Sequence, residues 1–380
     1  LGALGYDSSV EGYTGPNWSV AVIKQAAGIG LDDGNDEFVG SKAVTREEAA
    51  LYAFNMLQAT MVEYDAKTSV DINGATVTIA GDKAKEIENT SRTDGYIDDD
   101  NKMQFAERYF TDLRLTTDTT DDFGRPATKW TYNTGDKSTT FVSKADVSYT
   151  KAVAECDVAH DLGLSADTAY TLIVNGQKQA TTYTVNLTDT VTKMGAQGRL
   201  FEVYKDAKTI VMIDTFLAKV TYVADITYDA QGHVKTPATI TLEVYDAKTA
   251  PKTTALTLKD YDANYGYAKD EYVLVNAYTN TVNSATVSGK VFNNDKQYAE
   301  ILGKATSIEG AQSVIYWNAQ QHNVEGTVYD DAVKFYLDEA AQKDAKYTWY
   351  FDSYNNLIGA VEIAAATVSY THLRAHETDS

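Results

Sequence analysis

The spacing of apolar residues predicts two helices near the start of the chain. Apolar side chains with the three-to-four-residue period of one helix face occur at Trp18, Val22, Ala26 and Ile29. A loop rich in glycine and aspartate follows over residues 30–40. A second helix is predicted to start at Thr45. Its apolar face consists of Ala50, Ala53, Phe54, Leu57 and Met61.

Beyond Tyr64 the apolar pattern changes to the alternation that is typical of strands. Residues 69–72 and 75–80 flank Asn73-Gly74, a dipeptide that predicts a tight hairpin turn. One helix is predicted near residues 101–113. From residue 128 onward strands dominate. The clearest are residues 170–174, which precede a second Asn-Gly pair, 199–204, 209–214 and 216–228.

These patterns predict an α+β protein in which a helical N-terminal region precedes a mainly β, sandwich-like body. We expect a helical region at residues 1–65, an α+β module at 66–150 and β-rich modules at 151–367. The 27 tyrosines suit half-buried strands. The string Tyr-Asp-Ala-Lys-Thr occurs at residues 64–68 and 245–249. A duplicated β module or a recurrent polar turn would explain it, and we favour the turn.

Composition indicates a folded chain and limits its partners. The 380 residues are 43% hydrophobic and 23% charged, which is a globular composition. No apolar run reaches the roughly 18 residues of a membrane span. Asp and Glu number 54 against 33 Lys and Arg, a net charge of −21. A surface this acidic repels phosphate backbones, so we do not expect nucleic acid as a partner.

Both ends of the chain are expected to be unnatural. It starts at Leu1 without a methionine or a signal segment, so we expect a preceding piece. Residues 368–380 resemble the in-frame translation of a sequencing-library adapter more than a basic C-terminal tail. We leave these residues out of the functional interpretation. They include His372 and His376, whose spacing mimics a metal-binding pair.

The start of the second helix combines a cap with a cation. Thr45 and Glu48 have the spacing of a capping box, in which each side chain accepts a hydrogen bond from the other residue's amide. Arg46 then occupies the first helical position, where the helix dipole and unpaired amides favour anions. A guanidinium can bind a carboxylate through two parallel hydrogen bonds. We predict structural roles for Thr45 and Glu48. Arg46 is either a binding residue, which we favour, or a solvated helix-start arginine.

This segment resembles a repeat of the S-layer homology family. The resemblance rests on Trp18 at the first helix, on the Gly-Leu-Asp-Asp-Gly string from Gly30 to Gly34, and on Phe38. It also rests on Thr-Arg-Glu-Glu, which begins seven residues after Phe38 as in the family. Residues 1–7 resemble the end of a preceding repeat.

Three features depart from the family pattern. The family usually has an acidic residue a few positions before the tryptophan, and residues 13–17 supply none. Gly40 stands where the family has a proline, and Glu47 stands where it has an alanine. Glu47 brings a negative charge close to Arg46.

The resemblance implies a secreted surface protein of clostridia-like Gram-positive bacteria, held non-covalently on the cell wall. The implied ligand is a secondary wall polysaccharide, which often carries pyruvate ketals with one carboxylate each. Arg46 would bind that carboxylate, with Trp18, Gly30 and Gly34 as further site residues. Trp18 could equally belong to the core. Assembly into a surface layer is also implied. The body resembles β-rich regions of such proteins that have no assigned activity.

Other reactive side chains do not form a recognisable site. The acidic runs at residues 98–100 and 121–122 lack the spacing of a calcium loop. The single cysteine, Cys156, lies four residues from His160, but a third, orienting group is missing. Asp32, Asp33 and Asp36 could bind calcium weakly, or they could form a solvated loop. No cofactor is expected.

Two other classes of function stay open. A wall-anchored glycan hydrolase would need two carboxylates about 5–10 Å apart in a deep cleft. An adhesin whose β modules bind host glycan or protein would need an exposed aromatic or apolar patch. Because no nucleophile, base and orienting group occur at a recognisable spacing, we expect the body not to be an enzyme.

Overall fold

The structure is a computed structural model that divides the chain into two compact units. Unit 1 comprises Leu1–Asp121 and Pro126–Ser143, and unit 2 comprises Asp122–Arg125 and Lys144–Ser380. The predicted module boundaries at residues 65 and 150 stay predictions. The described residues are 1–363 except 66–67, 73–74, 80–82, 91–96, 98–99, 133–136, 247–252, 261–263, 278–285, 288–289, 292–298, 313–320 and 338–345. The expected adapter segment lies outside them.

Unit 1 combines short helices with short strands. Its helical segments are a 3₁₀ turn (Gly2–Leu4), α1 (Trp18–Gly28), α2 (Arg46–Gln58) and α3 (Phe105–Tyr109). Its strands are β1 (Val62–Glu63), β2 (Thr68–Ile72), β3 (Ala75–Ile79), β4 (Lys85–Glu86), β5 (Leu113–Thr120), β6 (Pro126–Tyr132) and β7 (Lys137–Val142). β1 pairs with β4 and β2 with β3, while β5, β6 and β7 form an antiparallel sheet.

Helix α2 contacts both small cores of unit 1. Phe54 and Leu57 pack on a buried cluster that consists of Ile97, Ala106, Leu115 and Trp130. The rings of Phe54 and Trp130 meet edge to face with centroids 5.5 Å apart. Met56 packs on a second cluster, Leu4, Ala59 and Met61. The helical region and the strands after it therefore share their cores, which explains why they form one unit.

The two predicted N-terminal helices exist, but their apolar faces are only partly covered. Neither α1 nor α2, both described in full, contains a buried residue. Trp18 is 54% exposed. Ala50 and Ala53, which were predicted on the apolar face of α2, are exposed.

The helix predicted near residues 101–113 is shorter than expected. Only Phe105–Tyr109 is helical, and Leu113 already begins β5. The backbone before the helix bonds to distant segments. The Met103 amide donates to the Ile87 carbonyl at 2.9 Å, and the Met61 amide donates to the Met103 carbonyl at 2.8 Å. These pairings replace the local hydrogen bonds of a helix, and the apolar period cannot reveal them.

Unit 2 is mostly β, with a short helix α4 (Glu155–Asp161). The strands up to the longest one are β8 (Val147–Tyr149), β9 (Val153–Ala154), β10 (Thr168–Val174), β11 (Gln177–Lys178), β12 (Tyr183–Val185), β13 (Thr192–Met194), β14 (Arg199–Tyr204) and β15 (Thr209–Ala224). The next are β16 (Thr227–Tyr228), β17 (Val234–Thr236), β18 (Ala238–Tyr245), β19 (Thr253–Asp260), β20 (Tyr272–Ala277), β21 (Thr286–Val287) and β22 (Lys290–Val291). The last are β23 (Ala299–Lys304), β24 (Thr306–Gln312), β25 (Gln321–Val324), β26 (Thr327–Leu337), β27 (Lys346–Phe351) and β28 (Leu357–Glu362).

The long strand β15 organises the larger sheet of unit 2. Its first part lies between β10, to which it is parallel, and the antiparallel β14. Its second part pairs with β18 and β20, both antiparallel. The sequence predicted two strands here, 209–214 and 216–228, and that prediction was wrong. The polar Asp214 does not interrupt the strand, because its carboxylate accepts hydrogen bonds from Arg199 Nε at 2.6 Å and Asn175 Nδ2 at 3.0 Å.

A second sheet packs on the first, so unit 2 is layered. Its strand order is β24–β27–β28–β26–β25. Buried residues from both sheets form one cluster, which consists of Leu217, Tyr245, Leu274, Ala332, Tyr336 and Ile358. The rings of Tyr245 and Tyr336 stack with centroids 4.0 Å apart. The predicted β-rich body with few helices is therefore confirmed.

One of the two predicted Asn-Gly hairpins is described in full. Val174 pairs with Gln177 across Asn175 and Gly176, whose φ angles of +48° and +74° are those of a tight turn with two left-handed residues. In the other hairpin, β2 and β3 pair through Ile72 and Ala75. Its turn, at residues 73–74, lies outside the described residues.

Candidate functional site

The capping box at the start of α2 is present. The Thr45 amide donates to Glu48 Oε2 at 2.7 Å, and the Glu48 amide donates to Thr45 Oγ1 at 3.2 Å. Two of the amides that the first helical turn leaves unpaired are thereby satisfied. The hydrogen bond from the Thr45 backbone holds the pKa of the Glu48 carboxyl below its usual value. Glu48 is consequently a charged, oriented part of the helix start.

Arg46 is the first residue of α2 and is exposed. Its guanidinium makes no hydrogen bond or ion pair within the described residues. Glu47 and Glu48 follow in the same helical turn. The cation therefore lies beside two carboxylates, one of which is already held by the cap. The guanidinium of Arg46 can donate two parallel hydrogen bonds to a ligand anion. The negative charges of Glu47 and Glu48 weaken its attraction for that anion.

The Gly-Asp loop lies against the same helix. Asn35 Nδ2 donates to Tyr52 Oη at 2.8 Å and to Glu48 Oε1 at 3.4 Å. Asn55 Nδ2 donates to the carbonyls of Leu31 and Asp33 at 3.0 and 2.9 Å. These two asparagines tie residues 31–35 to α2. The sequence analysis missed both. The sequence feature that could have revealed them is one asparagine within the loop and a second asparagine on the polar side of the helix that faces it.

Two of the glycines in this region have a clear physical role. Gly30 has a φ of +71°, the left-handed region that favours glycine, and a side chain there would meet the Asp33 carboxylate at 2.7 Å. Gly40, which replaces the proline of the family pattern, lies against α1: a Cβ atom would come within 2.4 Å of Ile23 Cδ1.

The structure brings together only part of the predicted site. Gly34, with a φ of +87°, precedes Asn35 and so lies near Glu48 and the helix start. Trp18 begins the other helix and is more than half exposed. Its indole makes no ring contact or hydrogen bond within the described part of the chain. A shared surface of Trp18 and Arg46 stays a prediction.

No protein-family model, curated protein or solved structure matches this chain. The resemblance to S-layer homology repeats therefore rests on the residues quoted above and on the helix start they form.

The other candidate groups are dispersed. Asp100 accepts hydrogen bonds from the Lys102 amide and Gln104 Nε2 at 2.7 and 3.1 Å, as a local turn residue would. Residues 98–99 lie outside the described residues. His160 Nδ1 lies 3.3 Å from its neighbour Asp161, and Cys156 Sγ lies 3.9 Å from Asp157 Oδ1. Over the described ranges no group of three or more histidine, cysteine, aspartate or glutamate side chains could hold a metal ion.

Of the helices in the described part of the chain, none is both long and apolar enough to cross a bilayer.

Proposed function

We propose that this chain is an extracellular bacterial surface protein that attaches to the cell wall by binding a carboxylate-bearing wall polysaccharide. The α1–α2 region would bind the polymer, and the β-rich body would be displayed without catalysing a reaction. Assembly into a surface layer belongs to the same proposal. The observation that carries it is Arg46, an exposed guanidinium without a partner among the described residues, at the start of a capped helix.

Arg46 suits a carboxylate ligand for three reasons. A planar guanidinium matches the two oxygens of a carboxylate. The N-terminal end of α2 adds the positive end of its dipole. The cap is made by Thr45 and Glu48, so Arg46 contributes nothing to it and can turn toward a ligand. Trp18, Gly30 and Gly34 are the further residues that we assign to this site.

The first prediction concerns Arg46→Ala in the full chain. We expect this substitution to weaken binding of a purified, pyruvylated wall polysaccharide by about ten- to a hundredfold, the value of one charge-assisted contact. Isothermal titration calorimetry measures the affinity. The same polymer after removal of its pyruvate by mild acid should bind wild type and variant equally weakly.

Arg108→Ala is the matched control. Arg108 is an exposed arginine at the end of α3 in the same unit, so its loss changes the net charge by the same amount. We expect it to leave binding unchanged. Equal affinity of wild type, Arg46→Ala and Arg108→Ala for the pyruvylated polymer would refute the role of Arg46.

A further inference from the structure

Unit 2 contains a polar cleft of about 820 Å³, within the size range of small-ligand pockets. The polar and charged side chains that matter for its chemistry are Lys151, Gln197, Asp246, Gln321, Asp330 and Asp331. Four stretches of the chain supply its walls: residues 151–152, residues 192–197, Asp246 directly after β18, and the hairpin of β25 and β26.

Backbone hydrogen bonds fix the wall that carries Gln197. The Gly198 amide donates to the Thr150 carbonyl at 2.9 Å, and the Val333 amide donates to the Gln197 carbonyl at 2.9 Å. Gly198 has a φ of +74°, and a Cβ atom there would meet Asp352 Oδ2 at 2.4 Å. Only glycine allows this approach. The cleft is therefore formed before any ligand enters.

Asp330 is held in position without being neutralised. Gln197 Nε2 donates to Asp330 Oδ2 at 3.1 Å, and Gln321 Nε2 donates to Oδ1 at 2.7 Å. The two amides come from different walls of the cleft. They orient the carboxylate but bring no charge, and Asp330 forms no ion pair within the described residues. This half-buried carboxylate can accept further hydrogen bonds.

Lys151 places a positive charge in the same cleft as Asp330. Its ammonium makes no ion pair or hydrogen bond in the part of the chain that the structure describes. The other charged groups of the cleft each contact a charged or ionisable side chain. Asp331 lies 2.7 Å from His322 Nε2, and Asp246 lies 2.8 Å from Lys334 Nζ. The Lys193 ammonium lies 3.1 Å from Glu155 Oε1. Asp330 and Lys151 are thus the charged side chains of the cleft that contact no charged or ionisable side chain among the described residues.

We propose that this cleft binds a short peptide with free termini, its ammonium group on Asp330 and its carboxylate on Lys151. A purely anionic ligand such as a nucleotide would meet Asp330, and a purely cationic ligand would meet Lys151. A neutral sugar would leave both charges unused. A ligand that carries both charges, as a peptide with free termini does, satisfies both groups.

The test uses the full chain and tri-alanine, with N-acetyl-tri-alanine and tri-alanine amide as charge-deleted probes. Calorimetry measures the three affinities for wild type, Asp330→Asn and Lys151→Gln. For wild type we expect each charge deletion to weaken binding about ten- to a hundredfold. Asp330→Asn should no longer distinguish the acetylated from the free peptide. Lys151→Gln should no longer distinguish the amide from the free acid.

Asp206→Asn and Lys178→Gln are the matched controls. Both residues are exposed, neither lines the cleft, and the substitutions change charge by the same amounts. We expect them to bind all three peptides like wild type. Circular dichroism checks that every variant is folded. Failure of wild type to bind tri-alanine at millimolar concentration, or equal binding of its three forms, overturns the proposal.

Discussion

The capping box of α2 is a contact between residues three apart, and its two members can be tested separately. Thr45 is the cap residue whose oxygen accepts the Glu48 amide. We predict that Thr45→Ala lowers the free energy of unfolding of unit 1 by about 1 kcal/mol, because that amide loses its acceptor. Urea unfolding followed by circular dichroism measures the change. Unfolding at an unchanged urea concentration would show that the cap does not stabilise unit 1.

Glu48 adds a dependence on pH. Its pKa is lower in the folded chain than the usual value for glutamate, mainly because the carboxylate accepts the Thr45 amide. The stabilisation is therefore fully present above the unfolded pKa of about 4.3 and is lost as the pH falls through the folded pKa. Glu48→Gln retains the geometry of the box but does not titrate. We predict that the stability difference between wild type and Glu48→Gln shrinks from pH 7 to pH 3. A constant difference would contradict the assignment.

Such local contacts could be predicted from the sequence, and longer ones could not. The Thr-x-x-Glu spacing predicts the cap, and Asn175-Gly176 predicts its hairpin, because both depend on neighbouring residues alone. The hydrogen bond between Asn35 and Tyr52 joins residues that are 17 positions apart in the sequence. The hydrogen bond between Gln197 and Asp330 joins residues that are 133 positions apart. Those pairs exist only after distant segments meet. The sequence predicts that Arg46 lies at the start of a helix, but it does not predict which side chains surround Arg46.

At the scale of elements, the turn after the 3₁₀ helix depends on a glycine. Gly5 has a φ of +104°, and a Cβ atom there would lie 2.0 Å from the Val62 carbonyl oxygen of β1. Leu4, its neighbour, is fully buried. We predict that Gly5→Ala lowers the free energy of unfolding of unit 1 by more than about 1 kcal/mol, since alanine disfavours this φ and clashes with the strand.

Gly12→Ala is the control for Gly5→Ala. Gly12 also has a positive φ, +71°, but no atom lies within 4 Å of the position of its Cβ. The Gly12→Ala variant therefore measures the free-energy cost of placing alanine at a positive φ, without a steric clash. The difference between the two variants in urea unfolding is the cost of the close contact with β1. Equal destabilisation by both substitutions would mean that the turn can move away from the strand.

At the scale of the whole molecule, each unit has its own buried clusters. Leu242 is fully buried within unit 2, in a cluster of β15, β18, β19 and β20 side chains. We predict two unfolding transitions in differential scanning calorimetry. Leu242→Ala should lower the midpoint temperature of the transition that belongs to unit 2, because it reduces the free energy of unfolding of that unit by about 2–5 kcal/mol. The midpoint of the other transition should not change. A single transition that shifts as a whole would contradict independent unfolding.

The pairing of β15 also has a consequence for how fast and how safely unit 2 folds. Thr215 on this strand lies against Asn276, 61 residues further along the chain, so β15 is synthesised well before its later partners. Sheets with such distant pairings fold in milliseconds to seconds, because loop closure must precede the contacts. In that interval the apolar residues of β15, which are buried in the finished sheet, are open to other chains. The strand that organises the native sheet is thus a segment at which chains can associate wrongly while unit 2 is incomplete.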